Sequence, residues 1–300
     1  MNAEVLLKHF DRISDAPEAI QRLRQFILDL AVRGKLVEQY ASEEPASTLL
    51  NRIGLEKSKL IESGEIKSQQ LPTAIRDEEI EFHLPSGWCW ARLATISRRI
   101  QYGFTASADR SLTDVRLLRI TDIQNNSVDW STVPGCQISE DEVTQYRLSK
   151  SDILIARTGG TIGKTFLVAE APPKAVFASY LIRVQPSCEI FATYLKAFLE
   201  SPIYWKQLQE GTRGTGQPNV NGQTLGRLAV ALPPLAEQHR IVAKVEELMA
   251  LCDRLEEAQK ERECKQHKLT AATIQSLHSQ TDDETLRANA RFFIDNLPST

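Results

Sequence analysis

Residues 159–165, GGTIGKT, have the residue types of a phosphate-binding loop. Glycines let backbone N–H groups turn toward an anion, and a lysine neutralises it. The run follows an apolar stretch, DILIA (152–156), the setting such a loop requires. The spacing is wrong, however. The fingerprint places four residues between its first glycine and the Gly-Lys pair, and that first place holds Thr158, while Gly159 leaves three. The residues that follow, TFLVAEAPPK, read as a strand and a Pro-Pro break where a phosphate loop needs a helix N-terminus. A P-loop-like nucleotide-binding enzyme is therefore the alternative, not the leading reading. Cys264 and His267 lie one helical turn apart, but no second pair of metal-type ligands is near, so no metal site is expected. All five histidines (His9, His83, His239, His267, His278) fall outside residues 84–232, and no HExxH or GxSxG motif is present. No catalytic residue is assigned.

A second kind of chemistry is better represented. Arg and Lys neutralise phosphates, whereas Arg, Gln and Asn read base edges. Arg98, Arg99, Gln101 and Tyr102 cluster in SRRIQYGFT. Arg157, Thr158, Thr161 and Lys164 cluster on the glycine-rich run. Arg213, Thr215, Gln217, Asn219 and Asn221 cluster in GTRGTGQPNVNGQ (211–223), whose glycines and asparagines permit close approach to a ligand. These thirteen residues are the candidate DNA contacts, and 211–223 is the foremost of the three groups. The competing readings are a solvated surface for Arg98 and Arg99, a plain β-hairpin for 157–165, and a packing loop or connector for 211–223.

The elements that would hold these groups divide the chain in three. The whole chain of 300 residues has net charge −3, which hides the division: residues 1–87 carry −4, 88–232 carry +4 and 233–300 carry −3. The first part reads as helical. Leu6, Leu7, Phe10 and Ile13 are at helical spacing, then Ile20, Leu23, Phe26, Ile27, Leu30 and Ala31 up to a stop at Gly34. A third helix runs from Ser47 to about Ser63, with Leu49, Leu50, Ile53, Leu60 and Ile61 apolar and the pairs Glu56/Lys59 and Lys57/Ile61 turned outward or sideways. Residues 65–81 are polar, proline-broken and read as a linker. The middle alternates short Val/Ile/Leu-rich runs with turn residues, which predicts strands, interrupted by one helix over 191–210 with Phe191, Leu195, Phe198 and Leu199 on one face. After Pro233-Pro234 a helix of roughly 65 Å is expected from 236 to about 279. Its positions Ile241, Val245, Leu248, Cys252 and Leu255 form a heptad seam that must find another helix, in this chain or another, and so are a candidate interface with a second subunit. The expected class is α+β: a mixed α/β domain flanked by N-terminal helices and a long C-terminal coiled-coil helix. No membrane-length apolar run is present. The five cysteines are scattered, with no CxxC spacing, which suits a reducing, cytoplasmic setting.

Several stretches together resemble a known family. RLRQFILDLAVRGKLVEQY (22–40) with EEPASTLLNRI (43–53), LPSGWCWARL (84–93) and VALPPLAEQHRIV (230–242) resemble the specificity (S) subunits of Type I restriction–modification systems. LLRITDI (117–123), 148–165 and 214–225 resemble the interior of one of their target recognition domains. The resemblance implies a non-catalytic subunit that reads double-stranded DNA and scaffolds methyltransferase (M) subunits, with a restriction (R) subunit able to join. It implies no cofactor on this chain, since S-adenosylmethionine, ATP and Mg would belong to the partners. Its implied organisation is an N-terminal helical region (1–64), a linker (65–83), a recognition domain (84–232), a long helix (233–280) and a tail (281–300). One LPxGW motif and one PPLxEQ motif are present, where the family usually carries two recognition domains. The resemblance is thus to a half-sized subunit, or to a fragment or split gene product of a longer one; a half subunit is expected to homodimerise and read a bipartite site. A coiled-coil scaffold whose β domain binds protein is the other alternative.

Overall fold

The computed structural model describes residues 18–67, 72–212 and 220–279, together with Arg287 and Arg291. The expected helix at 6–13, most of the tail and residues 213–219 lie outside them. The chain forms two compact units, residues 25–246 and residues 1–24 with 247–300. The α+β expectation holds.

Helix α1 spans Ala19–Val32 and stops at Gly34, whose φ of +67° suits glycine. Helix α2 spans Ala46–Glu62 and buries Ala46, Leu49 and Ile53. Ile61 is exposed, in line with its expected outward or sideways place, but Glu56 and Lys57 are half-buried and turn to the protein. Glu56 accepts hydrogen bonds from Ser187 and Arg98, and Lys57 donates to the Ala94 carbonyl over 2.7 Å. Long side chains reach partners that apolar periodicity does not reveal.

The middle is built on strands β1 (Cys89–Arg92), β2 (Ser97–Tyr102), β3 (Arg116–Leu118), β4 (Ile123–Gln124), β5 (Ser127–Val128), β6 (Ile153–Ala156), β7 (Thr165–Leu167), β8 (Ala175–Phe177), β9 (Leu181–Pro186) and β10 (Ala229–Leu232). The main sheet has the order β2-β9-β6-β7, antiparallel throughout. On β6, Ile153 and Ile155 enter one core cluster while Leu154 and Ala156 enter another, so the strand is covered on both faces. That is why DILIA is continuously apolar instead of alternating. β1 pairs antiparallel with β10, Cys89 opposite Leu232, and this brings the two ends of the middle segment together.

The single helix expected over 191–210 is two. Ala192–Phe198 is followed by Pro202–Thr212, with the break at Ser201, whose hydroxyl donates to the Phe198 carbonyl over 2.7 Å. Pro202 opens the second helix, where its missing N–H is harmless. Phe191 precedes the first helix and stacks on His239 at 4.0 Å between ring centroids. Residues 72–83 are anchored by Arg92, which donates to the carbonyls of Thr73 and Ala74 and pairs with Glu79.

The last helix runs from Leu235 to Ser279. Ile241, Val245, Leu248, Cys252 and Leu255 are all buried in the single chain. Beyond Leu255 the helix is mostly exposed, Leu269 and Ile274 included. In the unit containing 247–279, Arg24 pairs with Asp253 at 2.7 Å and Glu256 at 2.9 Å. Among the described residues no helix is long and apolar enough to cross a membrane.

Candidate nucleic-acid interface

Members of all three polar clusters meet at one place. Tyr102 ends β2 and is 40% exposed. The Arg157 guanidinium lies over that ring, 4.9 Å from its centroid. The Tyr102 hydroxyl accepts the Gly222 N–H over 2.9 Å, and the Arg157 carbonyl accepts the Val220 N–H over 3.1 Å. Asn221 caps the helix Gly222–Arg227, its Oδ1 accepting the Thr224 N–H at 2.8 Å. The end of β2, the loop after β6 and the start of this helix are thus joined by short polar contacts. Residues 213–219, which contain Arg213, Thr215, Gln217 and Asn219, precede this junction in sequence and lie outside the described residues.

The glycine-rich run is a hairpin turn. β6 and β7 pair antiparallel, with Ile155 opposite Thr165. A short 3-10 turn, Gly159–Thr161, joins them, and a strand follows Lys164. A strand stands where a nucleotide phosphate loop requires a helix N-terminus, so this run does not have the geometry of a P-loop. Gly163 has φ +79°, and a Cβ there would lie 2.5 Å from Leu208 and 2.7 Å from Trp205. Its carbonyl accepts the Tyr204 hydroxyl over 2.7 Å. The second glycine of the apparent motif therefore serves packing. Gly159 and Gly160 face open space, Thr158 and Thr161 are half-buried, and Lys164 is exposed.

Three of the sequence candidates are occupied inside the protein. Arg98 pairs with Glu56, and Arg99 donates to the Glu65 carbonyl over 2.6 Å. Gln101 accepts from Arg183, a buried arginine that also donates to the Arg147 carbonyl over 2.6 Å and lies 3.4 Å from Asp152. Burial pulls the Arg183 guanidinium below the ordinary arginine value and pushes the Asp152 carboxyl up, each against the attraction of the other. These contacts give Arg98, Arg99 and Gln101 structural work. Asn221 has its Oδ1 committed to the cap, so it cannot offer both side-chain ends to one adenine in this conformation.

One residue of the surface has no counterpart among the sequence candidates. Tyr180, in the turn between β8 and β9, is 65% exposed, and its carbonyl accepts the Arg157 N–H over 2.9 Å. In sequence it is an ordinary aromatic in an apolar run, FASYLIRV, and its exposure follows from the turn. A nearby cleft is lined by Glu78, Glu79, Glu81 and Glu210 together with Arg92, Lys206 and Arg227, and two of these cations are paired, Arg92 with Glu79 and Lys206 with Glu81.

The model of the Type I restriction modification DNA specificity domain matches residues 104–266, more than half of the chain. The Type I restriction enzyme EcoAI specificity subunit of Escherichia coli is 33% identical over 256 residues, which is 83% of this chain and 43% of that protein. The EcoEI specificity subunit of Escherichia coli is 30% identical over 260 residues, with the same two coverages. The chain thus spans less than half the length of these curated relatives. A chain from a solved structure described as the basis of complex assembly and conformational transition of the type I R-M system superposes with a TM-score of 0.50 at 17% identity. That match covers 88% of this chain and 57% of the other, and it concerns the fold. With the resembling motifs at 84–93 and 230–242 paired through β1 and β10, and the domain model matched across 104–266, the chain belongs to the Type I restriction–modification DNA specificity family.

Proposed function

We propose that this chain is the DNA-reading, non-catalytic component of a Type I restriction–modification complex. Its recognition segment, 84–232, binds one half-site of double-stranded DNA. The observation that carries the reading is the convergence of Tyr102, Arg157 and the start of the helix Gly222–Arg227, within a family whose matched relatives are named specificity subunits. Arg157 and Lys164 supply positive charge, Tyr102 a flat apolar face, and 213–219 further polar groups for base edges. The chain also holds M subunits and, through them, an R subunit. It binds no cofactor itself, and S-adenosylmethionine, ATP and Mg act on the partners, in the cytoplasm.

Two copies would read a bipartite site. Since the proximal seam is buried in one chain, the pairing surface is the exposed distal part of the last helix, where Leu269 and Ile274 lie. The middle carries only +4, so binding is weak alone and firmer once M subunits close around the duplex. A gel shift on random duplex, with and without the M subunit, tests the reading. Sequence-selective binding or a defined methylated motif is expected. If the chain neither binds DNA nor alters the sequence its M partner methylates, the reading fails.

A further inference from the structure

We infer that Tyr180 determines specificity by setting its ring against the C5 methyl of a thymine in the half-site. The inference rests on the recognition reading above. Among the described residues of 84–232, the large apolar side chains that stay exposed are Tyr102 and Tyr180. Both are tied to Arg157, one through its ring and the other through its carbonyl.

The support beneath Tyr180 is rigid. On one side Ser179 donates its N–H to the Phe104 carbonyl over 3.0 Å; on the other the Leu181 carbonyl accepts the Gly103 N–H over 3.1 Å. Gly103 allows this approach because a Cβ there would lie 2.2 Å from the Ala178 carbonyl oxygen. The turn bearing Tyr180 is thus bonded on both flanks to the chain that leaves β2 just after Tyr102. An aromatic ring held out on a rigid turn beside an arginine loses little freedom on binding, which suits recognition. The thymine methyl is the apolar feature of the major groove, and it matches an exposed ring better than any other base substituent there. The contact to Arg157 runs through the Tyr180 backbone, so truncating the side chain leaves that arginine held.

The test uses the full chain with its M subunits and a random-core duplex library made in two forms, with thymine or with deoxyuridine in its place. Wild type should select a motif in which one thymine is preferred over deoxyuridine by about fourfold, the weight of one methyl-sized apolar group. Tyr180→Ala should keep its melting temperature and lose that preference, and Tyr180→Phe should keep both. The inference is overturned if wild type does not distinguish the two libraries at any position, if Tyr180→Ala retains the preference, or if it weakens binding equally on every sequence. Selection of no motif by wild type would instead overturn the recognition reading, and this inference with it.

Discussion

Trp88 donates its indole N–H to Glu237 Oε2 over 2.9 Å, although 149 residues separate them. Both side chains are buried. The bond sits beside the β1–β10 pair and closes the middle segment where the chain enters and leaves it. Arg240, three residues on, pairs with Glu43 and donates to the Glu38 carbonyl over 3.2 Å. Gly34 completes the knot: a Cβ there would lie 2.5 Å from Pro85 and 3.1 Å from Trp88. The stretches that carry the family resemblance, distant in sequence, are therefore joined by hydrogen bonds, an ion pair and close packing.

The other oxygen of Glu237 is buried with no hydrogen-bond partner among the described residues. Burial pushes this carboxyl above the ordinary glutamate range, against the pull of Trp88 and Arg240. A carboxyl raised in the folded state contributes stability below its unfolded value, near pH 4.3, and loses it as pH rises through the folded value. Glu237→Gln keeps an acceptor for Trp88 and removes the charge. Its melting temperature relative to wild type should therefore improve as pH goes from 4 to 8. Glu237→Ala removes the acceptor and should cost about 1–3 kcal/mol in urea unfolding. A Gln variant whose difference from wild type does not move with pH would show that Glu237 is not so perturbed.

Glu56 has the opposite sign. Burial alone would raise its carboxyl, but the hydrogen bonds from Ser187 and Arg98 outweigh that and hold it below the ordinary value. Its stabilising contribution is present above the unfolded value and is lost as pH falls through the folded one. Glu56→Gln should be less stable than wild type at pH 7, and the gap should begin to close as pH falls below the unfolded value near 4.3. Thermal unfolding across that range checks it. A gap that does not narrow at all as pH falls from 7 through the acid range would assign the effect to packing instead of charge.

Much of this architecture was legible in the sequence, and what was not follows from physical causes. Regular apolar spacing announced α1, α2 and the last helix, and continuous apolar runs announced β6 and β9. Side-chain destinations were less visible. Arg98 and Gln101 look like surface polar groups, but they reach Glu56 and Arg183, residues far away in sequence. Tyr180 looks like a core aromatic but is held out by a turn. The heptad at 241–255 announced burial correctly, but periodicity does not say whether the same chain or a second one covers it.

That ambiguity separates two groups of positions on the last helix. Leu248 is 1% exposed in the single chain. Leu248→Lys should lower the melting temperature whatever the oligomeric state, at a cost of about 3 kcal/mol or more. Leu269 and Ile274 are each 43% exposed. Changing both to Lys should, if the distal helix pairs two copies, convert a dimer to a monomer in sedimentation. An unchanged dimer would place the pairing surface elsewhere.

At the proposed DNA surface, Arg157 and Lys164 separate by what they touch. Lys164 stands exposed on the hairpin turn, suited to a phosphate, and Lys164→Ala should weaken binding about equally on all sequences. It should also lower the slope of log affinity against log salt by about 1. Arg157 is positioned over Tyr102 at 4.9 Å, beside the helix cap. A guanidinium held in one orientation suits a guanine edge, so Arg157→Ala should cost about 1–3 kcal/mol and relax the preference at one base pair. Competition binding with single-base variants of the selected motif measures both. Neither variant should show ATP hydrolysis, since Lys164 lies before a strand instead of in a nucleotide loop. If Arg157→Ala weakens all sequences alike, Arg157 is a phosphate contact, and sequence reading passes to Tyr180 and residues 213–219.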